Sequence, residues 1–228
     1  MKINSKIKRS LFYNLILILS NFGFSFAQTN PFWFEQISFE EGLSQSTISS
    51  IIQDEKGFLW FGTDDGLNRY DGQFTVYKSN VDDPNSIGAN QIQCLTISPE
   101  GNLWIGTPSG LNLFKPEEEK FYQVFKYPSN GQFHKQYIMS MVFDKQGCLW
   151  VGTNLYGFAR LQIMQDSIIE LLNSNDLEVE YVGAVKCCYL DSEGLVWIGT
   201  QHAGLLCFNK NNLVKRLPEK SGKGNTLS

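Results

Sequence analysis

Ten residues recur four times in this chain, and a phrase that returns at a near-constant interval restricts the fold more than any average over composition. The copies are Asp54-Glu-Lys-Gly57-Phe-Leu-Trp60-Phe-Gly62-Thr63, Ser98-Pro-Glu-Gly101-Asn-Leu-Trp104-Ile-Gly106-Thr107, Asp144-Lys-Gln-Gly147-Cys-Leu-Trp150-Val-Gly152-Thr153 and Asp191-Ser-Glu-Gly194-Leu-Val-Trp197-Ile-Gly199-Thr200. Their tryptophans stand 44, 46 and 47 residues apart, the interval of four-stranded propeller blades and not of ankyrin, tetratricopeptide or leucine-rich units. With 42% apolar and 14% aromatic residues among 228, the chain can bury a core and is neither disordered nor collagen-like.

Each copy divides into four short strands. In the first, Thr47 to Gln53 is expected as the innermost strand, Phe58 to Thr63 as the second, Leu67 to Tyr70 as the third and Phe74 to Tyr77 as the outer one. Turns are expected at Asp54 to Gly57, Asp64-Asp65-Gly66 and Asp71-Gly72, Asp-Gly between apolar runs being a strong hairpin signal. Gly57, Gly101, Gly147 and Gly194 are expected at positive φ, where a Cβ is penalised, with the preceding Asp or Ser bonding turn amides. No window beyond the N-terminal segment sustains a period of 3.6, so the expected class is all-β: a propeller of antiparallel four-stranded blades, about four of them, in an incomplete ring. Blades are expected at residues 47–90, 91–136, 137–183 and 184–223, after a lead-in at 28–46 and before the start of a fifth at 224–228.

The innermost strands carry the packing signal. Six residues before each turn residue Asp54, Ser98, Asp144 or Asp191 stand Ile48, Ile92, Ile138 and Val185; four before stand Ser50, Cys94, Ser140 and Cys187; three before stand Ile51, Leu95, Met141 and Cys188. Both faces are mostly apolar, as a strand sandwiched between neighbouring blades requires. Each repeat Trp is expected to bury on the order of 200 Å² between adjacent sheets.

The first 27 residues read as a secretory signal peptide. Lys2, Lys6, Lys8 and Arg9 precede the apolar run Leu11 to Leu19, and the small residues Ser25 and Ala27 place cleavage between Ala27 and Gln28. The run is too short to span a bilayer. Removal takes away four positive charges and no negative one, moving the net charge from −4 to −8. The mature chain is expected to be exported, periplasmic or secreted, and it offers no basic field for nucleic acid.

The strands do not add up to a closed ring. Phe32 to Ile37 looks like an outer strand without its blade, the fourth copy has its own outer strand near Leu213 to Leu217, and the last five residues look like the lead-in to another blade. The expectation is a fragment of a longer protein, with a dimer that caps the open edges as the alternative.

The phrase Gly-x-Leu-Trp-x-Gly-Thr followed by Gly-Leu-Asn, seen in Gly57 to Asn68 and Gly101 to Asn112, resembles the two-component regulator propeller family. The third copy departs, with Asn154-Leu155-Tyr156 lengthening the turn before Gly157 and Phe158 in place of Leu; the fourth has Leu206 where the first two have Asn. The resemblance implies paired seven-bladed propellers in the periplasmic sensor of a hybrid histidine kinase, followed by an immunoglobulin-like domain, a membrane helix, kinase and receiver domains and often a DNA-binding domain. Oligosaccharides are among the inputs it implies. On that reading this chain is an exported sensory or ligand-binding segment, not itself an enzyme, whose partners are the further propeller and kinase domains of the same protein. A secreted protein-interaction propeller is the alternative, and a propeller lyase a lesser one.

The residues bear on these readings unequally. Of the two histidines, His134 lies in a polar loop and His202 in the turn Gln201-His202-Ala203-Gly204, so neither suits a phosphoacceptor, and no phosphate-binding glycine loop is present. No catalytic residue, cofactor or metal site is expected: Asp64-Asp65-Gly66 and Asp82-Asp83-Pro84 lack the alternating donors of a calcium loop, and Glu117-Glu118-Glu119-Lys120 reads as a solvated turn. Cys94, Cys148, Cys187, Cys188 and Cys207 are an odd set without a Cys-x-x-Cys pair, and four of them replace small or apolar residues at equivalent positions, so they read as buried free thiols. A ligand is expected at the face made by the turns joining second to third strands and outer to next inner strands, which singles out Asp64, Asp65, Asn154, Tyr156, Gln201 and His202.

Overall fold

The computed structural model describes residues 38–124, 136–164, 168–177 and 181–217; the expected signal peptide with its expected cleavage at Ala27–Gln28, the strand expected at Phe32 to Ile37, His134 and the last eleven residues lie outside that set. Among the described residues sixteen strands form four antiparallel sheets. The first sheet holds β1 (Ile48–Gln53), β2 (Leu59–Thr63), β3 (Gly66–Tyr70) and β4 (Phe74–Tyr77) in that order. The second holds β5 (Cys94–Ile97), β6 (Leu103–Thr107), β7 (Gly110–Lys115) and β8 (Lys120–Gln123). The third holds β9 (Ile138–Phe143), β10 (Leu149–Thr153), β11 (Phe158–Ile163) and β12 (Ile168–Asn173), and the fourth β13 (Val185–Leu190), β14 (Val196–Thr200), β15 (Leu205–Asn209) and β16 (Asn212–Leu217). Single 3-10 turns span Phe39–Glu41 and Ser174–Asp176, and no helix among the described residues is long and apolar enough to cross a membrane. These are propeller blades, and the four do not close a ring.

Repeat chemistry sets the local geometry. Gly57, Gly101, Gly147 and Gly194 have φ of 88, 82, 74 and 87°, the left-handed region that their turns require. The aspartate that opens each turn does more than bond an amide. Asp54, Asp144 and Asp191 use one carboxylate oxygen to accept the amides of Phe58, Cys148 and Leu195 at 2.9, 3.0 and 2.8 Å. The other oxygen accepts the indole N–H of Trp60, Trp150 and Trp197 at 2.8, 3.0 and 2.7 Å. That indole bond, followed by the Leu195 amide, holds the Asp191 carboxyl below the ordinary carboxylate range.

Three apolar cores lie at the three seams between consecutive blades, around Trp60 with Phe114, Trp104 with Phe143, and Trp150 with Phe208. In blades 2, 3 and 4 the residue six before the turn crosses to the preceding blade. A Cβ built on Gly62, Gly106 or Gly152 would meet Ile92 Cγ2, Ile138 Cγ2 or Val185 Cγ1 at 2.6, 2.8 and 2.2 Å, so each motif glycine is the hollow into which the next blade's first apolar side chain fits. Ser50 and Ser140 add hydrogen bonds, accepting the amides of Leu95 and Cys188 from the following blade.

Burial on both faces holds for the inner strands of blades 2 and 3 and fails for one face of each terminal blade. Ile48 and Ile51 are 39% and 58% exposed where their counterparts Ile92, Leu95, Ile138 and Met141 are buried, because among the described residues no preceding sheet lies against β1. On β13 the opposite face is open: Cys187 is exposed, Tyr189 is 63% exposed and Trp197 is only partly buried. The expected burial of every repeat Trp and of the repeat cysteines is corrected accordingly. Burial pushes the Cys94 thiol far above its usual value and the Cys188 thiol up to about 12, so neither forms an appreciable thiolate at neutral pH. Treated with a maleimide as folded protein, the chain should gain one adduct quickly, at Cys187; peptide mapping that finds Cys94 or Cys188 labelled as fast would contradict this packing.

Candidate functional site

With strand order 1-2-3-4 in every sheet, the turns β2–β3, β6–β7, β10–β11 and β14–β15 fall at one end of the blades, together with the segments that lead into each next inner strand. The motif threonine builds each turn. Thr63, Thr107, Thr153 and Thr200 donate their hydroxyls to the carbonyls of Gly66, Gly110, Gly157 and Gly204 at 2.9, 2.8, 2.9 and 2.7 Å. The same oxygens accept the amides of Asp65, Ser109, Tyr156 and Ala203. Two residues separate threonine from glycine in blades 1 and 2, and three in blades 3 and 4, so the latter turns project further side chains.

The six candidates divide into two groups. In blade 1, Asp64 accepts the Gln91 side-chain amide at 3.2 Å and Asp65 is ion-paired with Lys78 at 2.7 Å, so both carboxylates are engaged within the chain. In blades 3 and 4 the backbones are engaged and the side chains are presented outward. The amides of Asn154, Gln201 and His202 donate to the carbonyls of Tyr137, Ala184 and Val182 at 3.0, 2.8 and 3.2 Å, fixing the lead-in segments. Tyr156 is 44% exposed, and its carbonyl accepts the Ser174 hydroxyl.

The third seam brings the blade 3 and blade 4 turns together. Gly157 sits at φ 69°, and a Cβ there would lie 2.3 Å from Ser174 Oγ and 3.5 Å from Val182 Cβ, so the Tyr156-Gly157 turn lies directly against the blade 4 lead-in. Next to Val182, Tyr181 is 56% exposed and stacks on His202 with ring centroids 5.2 Å apart and 28° between planes. Tyr181 went unmarked in the sequence, where an aromatic at the end of a lead-in has nothing to show that the next turn's imidazole will lie beside it. Asn154, Tyr156, Tyr181, Gln201 and His202, with the exposed apolar Leu155 beside Tyr156, give this end of blades 3 and 4 ring faces and hydrogen-bonding side chains without a carboxylate or ammonium among them.

The Gly-Leu-Asn asparagines have a different task. Asn68 Oδ1 accepts the Ser44 amide and Asn112 Oδ1 the Gly88 amide, each at 2.9 Å, so each asparagine, 2% exposed or less, pins its own blade's lead-in from 24 residues away. Ala159 and Leu206 occupy the equivalent register in blades 3 and 4.

Comparison with known proteins follows the repeats. The family model described as two component regulator propeller matches residues 42–65, 86–109 and 132–155. A curated relative, histidine kinase P4 of Formosa agariphila, is 47% identical over 62 residues, which are 27% of this chain and 4% of that protein. Among solved structures, the extracellular domain of a one component system from B. thetaiotaomicron superposes with TM-score 0.62 and 21% identity over 84% of this chain and 28% of its own. Virginiamycin B lyase from Staphylococcus aureus gives 0.56 and 17% over 77% and 57%. At these identities the superpositions establish the propeller fold, and this chain spans about a quarter of the extracellular domain.

Proposed function

We propose that this chain, three of whose repeats match the two component regulator propeller family, is an exported sensory segment of a two-component regulator, binding a neutral oligosaccharide on the turn face of blades 3 and 4. Kinase and output steps fall to domains outside these 228 residues. The kinase identity of the curated relative and the extracellular character of the B. thetaiotaomicron domain support signalling and export. One observation carries the ligand: the exposed Tyr181–His202 stack, continuous through Val182 with the turn that presents Tyr156.

The test is calorimetry of the purified chain against a panel of neutral oligosaccharides. Tyr181→Ala and His202→Ala are each expected to weaken binding about tenfold, the equivalent of one lost stacking contact, while Asp64→Asn, on the engaged blade 1 turn, leaves it unchanged. Binding that ignores both aromatic substitutions would place the site elsewhere. If no glycan binds and a protein partner is captured instead, the interaction-platform reading replaces this one.

A further inference from the structure

The second repeat breaks the bond that the other three keep. An aspartate has two oxygens, one for the turn amide and one for the indole; Ser98 has a single oxygen, and it accepts the Asn102 amide at 3.3 Å. The Trp104 indole N–H therefore has no acceptor among the described residues, although Trp104 and Ser98 are 3% and 5% exposed. Arg69 Nε is the one fully buried side-chain nitrogen without a partner among the described residues, so the Trp104 nitrogen is not sealed in the core and can bond a molecule that enters from the cavity beside it.

A cavity of about 280 Å³ lies against this indole, walled by Leu113, Phe143, Ile163 and Ile168, with Ser98 beside it. Its origin is legible in the strand register. In blade 3 the residue opposite Trp150 is Arg160, whose guanidinium lies 5.9 Å from the ring centroid and reaches Asp144. In blade 2 the residue opposite Trp104 is Leu113. The second repeat thus lacks both the guanidinium and the carboxylate, and the volume they take in blade 3 opens as a chamber with an apolar wall of Leu113, Phe143, Ile163 and Ile168 beside the indole and a polar rim of Ser98, Glu100, Asn102 and Lys115. The lining includes the turn between β5 and β6 and the end of β11, so the cavity belongs to the opposite end of the blades from the Tyr181–His202 face.

We propose that this cavity is a binding site for a small aromatic or cyclic molecule whose carbonyl oxygen accepts the hydrogen bond of the Trp104 indole. The carbonyl takes the place of the missing aspartate oxygen, and the ring fills the apolar space. An apolar wall with a few placed polar groups is the usual composition of a small-molecule site. The inference is independent of oligosaccharide binding at the other end.

The experiment uses the whole chain with ¹⁵N-labelled tryptophan, which gives one indole N–H resonance for each of the five tryptophans; the Trp104 resonance is identified by its loss in Trp104→Phe. Acetophenone is the probe, and ethylbenzene, the same ring without a carbonyl, is the control. Acetophenone is expected to move the Trp104 resonance saturably, with ethylbenzene about tenfold weaker, as loss of one buried hydrogen bond requires. Ser98→Asp restores the acceptor found in the other blades and is expected to abolish the shift. An unmoved resonance, an equal response to ethylbenzene, or a shift that persists in Ser98→Asp overturns the site. Should Ser98→Asp fail to fold, Trp104→Phe serves with ligand-detected saturation transfer: about tenfold loss of acetophenone affinity supports the proposal, and unchanged affinity overturns it.

Discussion

Asp144→Ala is expected to lower the unfolding free energy by ~3–5 kcal/mol, the magnitude of a buried ion pair broken from one side. Arg160 Nε and Nη2 both lie 2.8 Å from Asp144 Oδ2, with side chains 6% and 3% exposed. The same carboxylate accepts the Trp150 indole and the amides of Gln146 and Cys148. Alanine leaves a guanidinium inside the protein with Asn211 and a long contact to Gln146 as its remaining acceptors. Asp191→Ala is the matched control: it removes the same indole and amide bonds in blade 4 but strands no cation, and its cost should be much smaller. Asp144→Ala combined with Arg160→Met should recover part of the loss, because the uncompensated charge goes with the arginine. Urea titration of the four proteins decides, and equal losses for Asp144→Ala and Asp191→Ala would refute the ion-pair argument.

Gly152→Ala should cost ~1–3 kcal/mol or more, the range of a core forced to take extra volume. The new Cβ would fall 2.2 Å from Val185 Cγ1 and 2.6 Å from Val185 Cβ, on a fully buried branched side chain in the next blade. Gly199→Ala makes the same chemical change in blade 4, where the nearest atom is the sulfur of the exposed Cys187 at 2.8 Å. That side chain can rotate away, so the expected effect is within about 0.5 kcal/mol. A double-mutant cycle adds the mechanism. If the collision is with Val185, Gly152→Ala with Val185→Gly should be less destabilised than the sum of the single changes; strict additivity would locate the strain elsewhere.

The strands and turns were legible because turn chemistry is local. Gly57 and its three counterparts need positive φ whatever surrounds them, and the expected boundaries of the first blade differ from the observed ones by a residue at the starts of β1, β2 and β3 while β4 agrees. Contacts between blades were less legible. Ile48 and Val185 occupy the same place in the repeat, yet one is 39% exposed and the other fully buried, because only the second has a sheet in front of it. The aspartate–indole bond left a signal that went unused: the column reads Asp, Ser, Asp, Asp six residues before each Trp, and the single serine marks the blade where the indole is left without an acceptor. Of the six turn candidates, the blade 1 pair is spent on Gln91 and Lys78, partners whose approach no motif announces.

The seams are not equivalent. At the first and third a serine hydroxyl joins inner strands across the gap and a turn aspartate anchors the Trp; at the second, Cys94 and Ser98 stand in those places and a chamber opens beside them. In a linear array whose stability is a sum over neighbouring interfaces, the middle interface therefore draws on apolar packing around Trp104, Met141 and Phe143, where its two neighbours add a polar bond between inner strands.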